Sequence, residues 1–335
     1  MKSQRRKTIK LGIIGAGLIV EEFLPKLVQI EQLEILGIQS VPSDMDKLKQ
    51  WCTKYNIPLA TSDFEELSQS GIDTVYIVVP NFLHVSFVEK ALNSGLNVIV
   101  EKPMTSNAKE AQYLKELAQA KGLFLFEAIT TRYFKTYQKI REWLPKIGQI
   151  KLVESNYSQY SRRYDAFQKG EVLPVFDPAK AGGAMMDLNL YNLHFVMGLF
   201  GQPDNQHYFA NVERGIDTSG VAVLNYPDFI AVCTAAKDSK GKSGSLIQGT
   251  KGYIETTLSP NLVGEVKLVL NDGSKESFDD GSSQARLIPE FQSFVKMIND
   301  NDLEACYKEL EASLSVSKVQ TQLRKEAGII FPMDN

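Results

Sequence analysis

The sequence predicts an α/β protein in two domains. Residues 1–128 are expected to form a parallel sheet wrapped by helices, and residues 129–335 an α+β domain with an open, mainly antiparallel sheet. Three observations predict this. The chain has 335 residues, more than one hydrophobic core usually organises. Short apolar runs alternate with helical patterns as far as about residue 130, the pattern of a parallel sheet with helices on both faces. Beyond about residue 150 the segments become short and roughly alternating, separated by Gly, Asn, Asp and Ser, as in hairpin-connected strands.

The elements follow in order. Ile9–Ile14 is a β-branched run that stops at glycines, as a strand would. A helix comes next, with Phe23, Leu24, Leu27, Val28 and Ile30 on one face. Leu33–Ile38 is the second strand. Ser43 with Asp46 resembles a capping pair opening a helix through Trp51, and Ser62 with Glu65 resembles another. Val75-Tyr76-Ile77-Val78-Val79 is continuously apolar, as expected of a strand covered on both faces. A helix through Leu92 ends near Gly95, and Asn97–Val100 is a strand. Asn107 and Glu110 cap a helix running to about Ala120, with Gly122 behind it, and Leu123–Phe126 is a further strand. In the second domain, residues 150–160 and the runs Val221–Tyr226, Phe229–Thr234 and Val266–Leu270 read as strands. A helix near Met186–Leu199 interrupts them, and helices near Leu287–Ile298 and Lys308–Leu323 close the chain.

Composition excludes several function classes. Hydrophobic residues make up 43% and charged residues 23%, an ordinary globular balance. A net charge of -3 offers no whole-molecule field for nucleic acid. The start is basic (Lys2, Arg5, Arg6, Lys7, Lys10), but the apolar stretch behind it contains Gly12, Gly15 and Gly17 and ends at Glu21 and Glu22. It has no small-residue cleavage site, so no signal peptide is expected. No run approaches the roughly 18 apolar residues of a membrane span. Cys52, Cys233 and Cys306 are far apart and one must stay unpaired, which suits a reduced, cytoplasmic setting and small core residues. Three scattered histidines without a cysteine cluster predict no metal site. An open antiparallel sheet needs cover on its bare face, so a homodimer or higher assembly is expected.

Gly15-Ala16-Gly17-Leu18-Ile19-Val20 follows the first strand and opens a helix. Gly15 permits the tight turn, and Gly17 lets the backbone approach a pyrophosphate at the positive helix start. Val20 stands at the third glycine of this fingerprint, a position concerned with helix–strand packing more than with phosphate. The loop therefore predicts an N-terminal Rossmann domain holding a nicotinamide dinucleotide. Ser40 stands where an acid would hold the adenosine ribose. Without that carboxylate a 2′-phosphate meets no like-charge repulsion, so NADP is slightly favoured over NAD, although no Arg follows and Asp44 and Asp46 are near.

Two further segments carry the chemistry. Val79-Pro80-Asn81-Phe82-Leu83-His84 is followed by Gly95-Leu96-Asn97-Val98-Ile99-Val100-Glu101-Lys102-Pro103. Later comes Gly182-Gly183-Ala184-Met185-Met186-Asp187-Leu188-Asn189-Leu190-Tyr191. With the glycine loop, these resemble the Gfo/Idh/MocA oxidoreductases from Lys10 to about Pro332, and within them the dihydrodiol and xylose dehydrogenase-like branch. The resemblance implies hydride transfer between NAD(P) and a sugar, polyol or vicinal diol, with substrate entering between the first domain and the second sheet. It implies Lys102 between nicotinamide ribose and substrate, and Pro80, Asn81 and Glu101 near the cofactor. Arg132 matches a segment that closes over the site, and Asp187 a polar residue on the substrate side. Tyr191 falls where many members carry a catalytic His. His194 replaces a common acid and Asn189 a common glycine, which affects substrate contacts more than reaction type.

Elementary electrostatics supports the pair Lys102 and Tyr191. A phenol has a pKa of about 10, so proton transfer near pH 7 needs a shift worth about 4 kcal/mol. An ammonium about 4 Å from the phenolate supplies around 4 kcal/mol at an effective dielectric of 20. Lys102 is the alternative base if burial lowers its own pKa. Other candidates read more plainly. His84 caps, packs or touches the cofactor; His194 is an interior histidine; Arg162, Arg163 and Asp165 are loop charges; Glu304, Glu309 and Glu311 form a solvated helix face. A dinucleotide-binding regulator without chemistry is the rival, and a regulator needs neither Lys102 nor Tyr191.

Overall fold

A computed structural model describes residues 8–334, so Lys2, Arg5, Arg6 and Lys7 lie outside the described residues. The chain divides into two compact units. The first contains residues up to Thr105, then Lys109–Ala128 and Glu290–Glu311. The second contains Ser106–Ala108, Ile129–Pro289 and the residues from Ala312 onward. The chain thus changes unit after Ala128, but Glu290–Glu311, expected in the second domain, groups with the first.

In the first unit β1 (Ile9–Ile14), α1 (Leu18–Leu27), β2 (Leu33–Gln39), α2 (Met45–Tyr55), β3 (Leu59–Thr61), α3 (Phe64–Ser68), β4 (Thr74–Ile77), α4 (His84–Asn93), β5 (Asn97–Glu101), α5 (Ala108–Lys121) and β6 (Leu125–Ala128) alternate. The strands lie in the order β3-β2-β1-β4-β5-β6, all parallel. Leu11, Ile13, Val75, Ile77, Val98, Val100 and Leu125 are fully buried, as two-sided cover requires. Strand order reverses between β1 and β4, the crevice where such sheets take ligands. The late segment adds to this core. Phe291 meets Tyr76 edge-on at 4.9 Å, Phe294 stacks on Phe126 at 4.5 Å, and Cys306 donates to the Leu125 carbonyl at 3.5 Å.

The pairs expected at Ser43 with Asp46 and at Ser62 with Glu65 do not form. Ser43 lies inside a 3-10 turn, Pro42–Asp44, that opens on proline, and α2 starts after it without a side-chain cap. Proline presets the first turn and displaces the serine from the cap position. At α3 the cap is Asp63, one residue beyond Ser62, and its carboxylate accepts from the Glu65 N–H at 2.8 Å. Asp and Ser are equivalent as caps, so sequence alone does not choose between neighbours.

The second unit contains α6 (Lys135–Trp143), β7 (Ile150–Ser158), α7 (Arg162–Gln168), a π-helical turn (Met185–Asn189), α8 (Leu190–Phe200), β8 (Asn205–Glu213), β9 (Ile216–Asn225), β10 (Ile230–Ala236), β11 (Gly244–Gly249), β12 (Gly252–Thr256), β13 (Val266–Leu270), β14 (Lys275–Phe278) and α9 (Ser282–Ala285). The chain then continues through α10 (Ile288–Asn299) and α11 (Leu303–Glu326). The eight strands run in the order β14-β13-β12-β11-β7-β10-β9-β8. Every neighbouring pair is antiparallel except β7 with β10. A parallel pair needs a long crossover, and the helical stretch between β7 and β8 permits one. One face of this sheet is closed: Val153, Ser155, Ala231, Cys233, Ala222, Leu224 and Ile247 are buried. The first eight residues of α8 are buried as well, matching its apolar character all round. The other face carries the half-exposed Leu152, Val221, Val223, Val232 and Leu246 and the exposed Ile230. All three cysteines are free, and Cys233 and Cys306 are buried. Among the described residues no helix is long and apolar enough to cross a membrane, and no group of three or more His, Cys, Asp or Glu could hold a metal ion.

The chain's end is clamped within the second unit. Arg324, wholly buried, forks onto Asp334 with contacts of 2.6 and 2.8 Å and donates to the Ile329 carbonyl at 2.7 Å. Asp334→Ala leaves this cation buried without its carboxylate. Urea denaturation should show a loss of about 3–5 kcal/mol, and a loss near zero would make the clamp peripheral. Burial alone would raise the Asp334 pKa, but hydrogen bonds from Arg324 and the Phe331 N–H hold it below the usual carboxylate range. This contribution is therefore full above a pH of about 3.9 and is lost as pH falls through the folded value.

Candidate active site

The loop after β1 is built for close approach. Gly15 has φ 119°, and a Cβ there would lie 2.2 Å from the Val78 carbonyl oxygen beyond β4, so only glycine fits. Gly17 is different, because a Cβ there would meet nothing within 4 Å. The protein's own packing does not demand that glycine; its absent side chain keeps the start of α1 approachable from outside. No side chain caps α1, so its first N–H groups, around Leu18 and Ile19, suit an external anion. Lys47 braces the loop, donating to the Ala16 carbonyl at 3.0 Å and pairing with Glu21 at 2.9 Å. Ser40, just past β2, is buried and donates to Asp44 at 2.6 Å. This cradle at the carboxyl ends of β1 and β4 fits a dinucleotide.

Lys102 follows β5 directly and is held by its neighbours on both sides. Glu101 accepts from the Tyr76 hydroxyl of β4. Beyond Lys102, the Pro103 carbonyl lies 2.8 Å from His84 Nδ1, and the Met104 N–H donates to Glu127 of β6 at 2.9 Å. The other ring nitrogen of His84, Nε2, lies 2.9 Å from the Val79 carbonyl. His84 was expected among the cofactor-binding residues, but its ring is wholly buried, so it acts from behind the surface. It ties the strand end before Pro80 and Asn81 to the strand end carrying Lys102. Burial pushes its pKa down, while the two carbonyls pull it up, and the net direction is down.

In the second unit the Gly-Gly-Ala-x-x-Asp block also has a steric basis. A Cβ on Gly183 (φ 106°) would lie 2.1 Å from an oxygen of Asp217, and one on Gly182 would lie 2.8 Å from the Pro174 carbonyl. Asp217, wholly buried, accepts from the Met185 N–H at 2.6 Å and the Tyr208 hydroxyl at 2.7 Å. Burial raises its pKa against those hydrogen bonds and the Lys237 charge. It thereby pins the first residue of the π-helical turn, a feature often found at functional sites. Asp187 projects from that turn, one-third exposed, and pairs with Lys237, whose side chain is 3% exposed. Tyr191 is the second residue of α8, nearly buried, with its ring centroid 5.9 Å from that of Tyr157. Beneath it runs a buried polar chain. Ser155 donates to Asn192 (2.8 Å), Asn192 donates to Asn189 (2.8 Å) and to the Thr234 carbonyl (2.9 Å), and Asn189 donates to the Cys233 carbonyl (3.3 Å). Arg132 lies in the 3-10 turn Thr130–Tyr133, which Thr130 and Thr131 anchor to the Asn261 and Pro260 carbonyls at 2.8 and 2.9 Å.

Within the first unit Gly15, Ala16, Gly17, Leu18, Ile19, Ser40, Pro80, Asn81, Glu101 and Lys102 share the carboxyl edge of the parallel sheet. Asp187, Tyr191 and Arg132 belong to the second unit. His194 is buried in the core beside Tyr191. Sequence reasoning missed Tyr76, Glu127, Asp217 and Lys237, the residues that hold the others. Two of them left a trace, since Tyr76 and Glu127 are polar groups inside otherwise apolar strands.

Comparison with known proteins agrees with this geometry. The model of an oxidoreductase family with an NAD-binding Rossmann fold matches residues 9–129, and that of the GFO/IDH/MocA C-terminal domain matches residues 137–255. The scyllo-inositol 2-dehydrogenase (NADP(+)) of Bacillus subtilis (strain 168) is 32% identical over 330 residues, 97% of this chain and 99% of that protein. The trans-1,2-dihydrobenzene-1,2-diol dehydrogenase of Mus musculus is 26% identical over 343 residues, 97% of this chain and 99% of that one. Among solved structures, KijD10, a 3-ketoreductase from Actinomadura kijaniata in complex with NADP and TDP-benzene, shares the fold with a TM-score of 0.81 at 19% identity, covering 96% of this chain and 98% of that one. With both halves matched and a relative at 32% identity along nearly the whole length, the chain belongs to the GFO/IDH/MocA family of NAD(P)-dependent oxidoreductases.

Proposed function

We propose that this enzyme oxidises a secondary alcohol of a sugar, polyol or vicinal diol, or reduces the corresponding ketone, with Lys102 and Tyr191 serving the same proton transfer. The observation that carries the reading is the bracing of Lys102. Glu101, Pro103 and Met104 are each fixed by a different buried side chain, so the backbone that carries Lys102 is held in place. Preorganised charge of this kind is what catalysis rewards. Two relatives support the substrate class, since the names of the Bacillus and mouse enzymes specify an inositol and a ring diol. Those names are of dehydrogenases, which favours catalysis over a regulatory role.

Gly15, Ala16, Gly17, Leu18 and Ile19 would hold the phosphates of the dinucleotide, and Pro80, Asn81, Glu101 and Arg132 would contact it further along. When bound, the nicotinamide exchanges a hydride with the substrate carbon. The chain's own residues handle the proton. Tyr191 takes it from the hydroxyl as the alcohol is oxidised, with the Lys102 ammonium stabilising the phenolate; in reduction the same proton returns. Lys102 takes the proton itself if its ammonium is already deprotonated. Asp187, paired with Lys237, accepts a hydrogen bond from a second substrate hydroxyl. The three free cysteines suit a reducing, cytoplasmic compartment.

Lys102→Met should still bind dinucleotide by calorimetry while kcat falls about 10²–10⁴-fold; full activity would end the assignment. Tyr191→Phe should lose a comparable factor, and wild-type rates across pH would leave Tyr191 as packing.

NADP is the proposed cofactor. Ser40 replaces the ribose-binding acid, and the Bacillus relative is named for NADP(+). Ser40→Asp would set a carboxylate against the 2′-phosphate. The ratio of kcat/KM for NADP to that for NAD should fall at least about tenfold. An unchanged ratio would place specificity elsewhere.

A second copy of the chain is the proposed cover for the open face of the eight-stranded sheet, where Leu152, Val221, Val223, Ile230 and Val232 make a continuous apolar surface. Such a patch is costly to leave in water. Light scattering should find a dimer or larger assembly, and Ile230→Glu should give monomer. A monomeric wild type would refute this cover.

A further inference from the structure

The second unit contains a cavity of about 550 Å³ to which no role has been given, within the range of roughly 300–1,000 Å³ typical of small-molecule sites. Two side-chain amides line it, Gln159 and Asn261. In each the oxygen is already engaged. Asn261 Oδ1 accepts from the Ser259 hydroxyl at 2.6 Å, and Gln159 Oε1 accepts from the Tyr157 hydroxyl at 3.1 Å. The other ends, Asn261 Nδ2 and Gln159 Nε2, donate to no group among the described residues. Asn261 is only 8% exposed, yet its Nδ2 is not sealed off, so this donor opens onto the cavity the residue lines. Its loop is fixed from several sides. Thr130 and Thr131 hold the Asn261 and Pro260 carbonyls at 2.8 and 2.9 Å, and the Val263 N–H returns to the Ser259 carbonyl at 2.9 Å. Val263 is wholly buried at φ 62°, a conformation that a β-branched residue rarely adopts, and such strain collects at ligand clamps. Tyr157, Leu258 and Leu262 add apolar surface to the lining. The Tyr157 ring is the one whose centroid lies 5.9 Å from that of Tyr191.

We propose that this cavity receives a sugar ring linked through a glycosidic bond to the unit that reacts at Tyr191, so that the substrate class is a glycoside or short oligosaccharide. This rests on the reading of Tyr191 as a group that touches substrate. An amide whose oxygen is held elsewhere offers its N–H groups, and the hydroxyl oxygens of a sugar accept them. Tyr157, Leu258 and Leu262 suit the C–H faces of the same ring. A few fixed polar groups on an apolar wall is the usual construction of a ligand pocket. Asn261 is held in place before any ligand arrives, so little ordering is lost on binding. Tyr157 lines the cavity and packs on Tyr191, which places the second ring beside the reacting one. A free monosaccharide or polyol fills the reacting position and leaves both amides unmet, and this difference separates the two kinds of substrate.

The test is calorimetry on the full chain with reduced dinucleotide present, so that hydroxyl substrates bind without turnover. The free units are D-glucose, D-galactose and myo-inositol, and the linked sugars are cellobiose, maltose, lactose and galactinol. At least one linked sugar should bind about tenfold or more tightly than each of its free units. The margin should hold as salt is raised, because the contacts join neutral groups. Asn261→Asp keeps the acceptor for Ser259 and removes the N–H donors, and Gln159→Glu does the same beside Tyr157. Asn261→Ala removes the amide without adding charge. Each variant should cut the margin several-fold, and the Asn261→Ala, Gln159→Glu double variant should erase it. Gln159 is exposed, so Gln159→Glu decides the matter where a variant of the buried Asn261 fails to fold. The proposal falls if no linked sugar shows the margin or if the margin survives these substitutions. It falls equally if high salt abolishes the margin, as recognition through the charge of Lys240 or Arg286 would require. Failure of the Tyr191 reading shows separately, as unchanged turnover in Tyr191→Phe while the preference for linked sugars remains.

Discussion

The imidazole of His84 is the joint on which the first unit's chemistry depends. Its two nitrogens face the carbonyls of Val79 and Pro103, which end the β4 and β5 segments beside the ligand crevice. A neutral imidazole has one N–H to give, and burial keeps this ring toward its neutral form. One carbonyl then receives the hydrogen bond at any moment, and the tautomer decides which. Because the folded pKa is lowered, the unfolded chain takes up the proton first. The joint's contribution is full above a pH of about 6.5 and is lost as pH falls through the folded value. A wholly buried residue thus ties the strand end before Pro80 and Asn81 to the strand end carrying Lys102.

The second unit solves the same positioning problem with different means. Tyr191 and Asp187 sit on a π-helical turn and the helix that follows it, and a π turn has weaker internal support than an α-helix. Compensation comes from outside the turn. Asp217 takes the Met185 N–H, and the Asn189–Asn192–Ser155 chain reaches carbonyls of β10. Fully satisfied buried networks of this sort specify one arrangement. In both units the candidate reacting groups are the less buried members of a constellation whose other members are buried.

That division explains what was legible in the sequence. Strands of the first unit were readable because two-sided burial leaves runs such as Val75–Val79, whose one polar group is the Tyr76 hydroxyl on a large apolar ring. The glycine loop and the Gly-Gly-Ala-x-x-Asp motif were readable because steric demands fix their residue types, as the Cβ clashes at Gly15 and Gly183 show. The supports were not readable. Asp217 reaches Met185 across 32 residues and Lys237 reaches Asp187 across 50, and no local pattern encodes such a meeting. Membership of Glu290–Glu311 in the first unit was hidden for a related reason. The spacing of Phe291, Phe294 and Val295 announces an apolar helix face, but not which sheet will bury it. The parallel pairing of β7 with β10 inside an otherwise antiparallel sheet depends on a crossover whose route the alternation of residues does not record.

Charge distribution argues in the same direction as geometry. The chain as a whole is slightly acidic, with 40 Asp and Glu against 37 Lys and Arg, so a basic site does not follow from composition. Yet the glycine loop is braced by Lys47, the strand end beside the crevice presents Lys102, and the cavity next to Tyr157 is lined by Lys240 and Arg286. Near these cations the carboxylates are already engaged: Asp44 by Ser40, Glu101 by Tyr76, Asp238 by Thr218 and Ser219. A hydrogen-bonded carboxylate keeps its charge but offers fewer free lone pairs, and it is held in one orientation. Each of these acids is thereby held in one place, and Lys47 itself pairs with Glu21. The local placement of these basic residues, more than their number, is what distinguishes the candidate site from the rest of a slightly acidic chain.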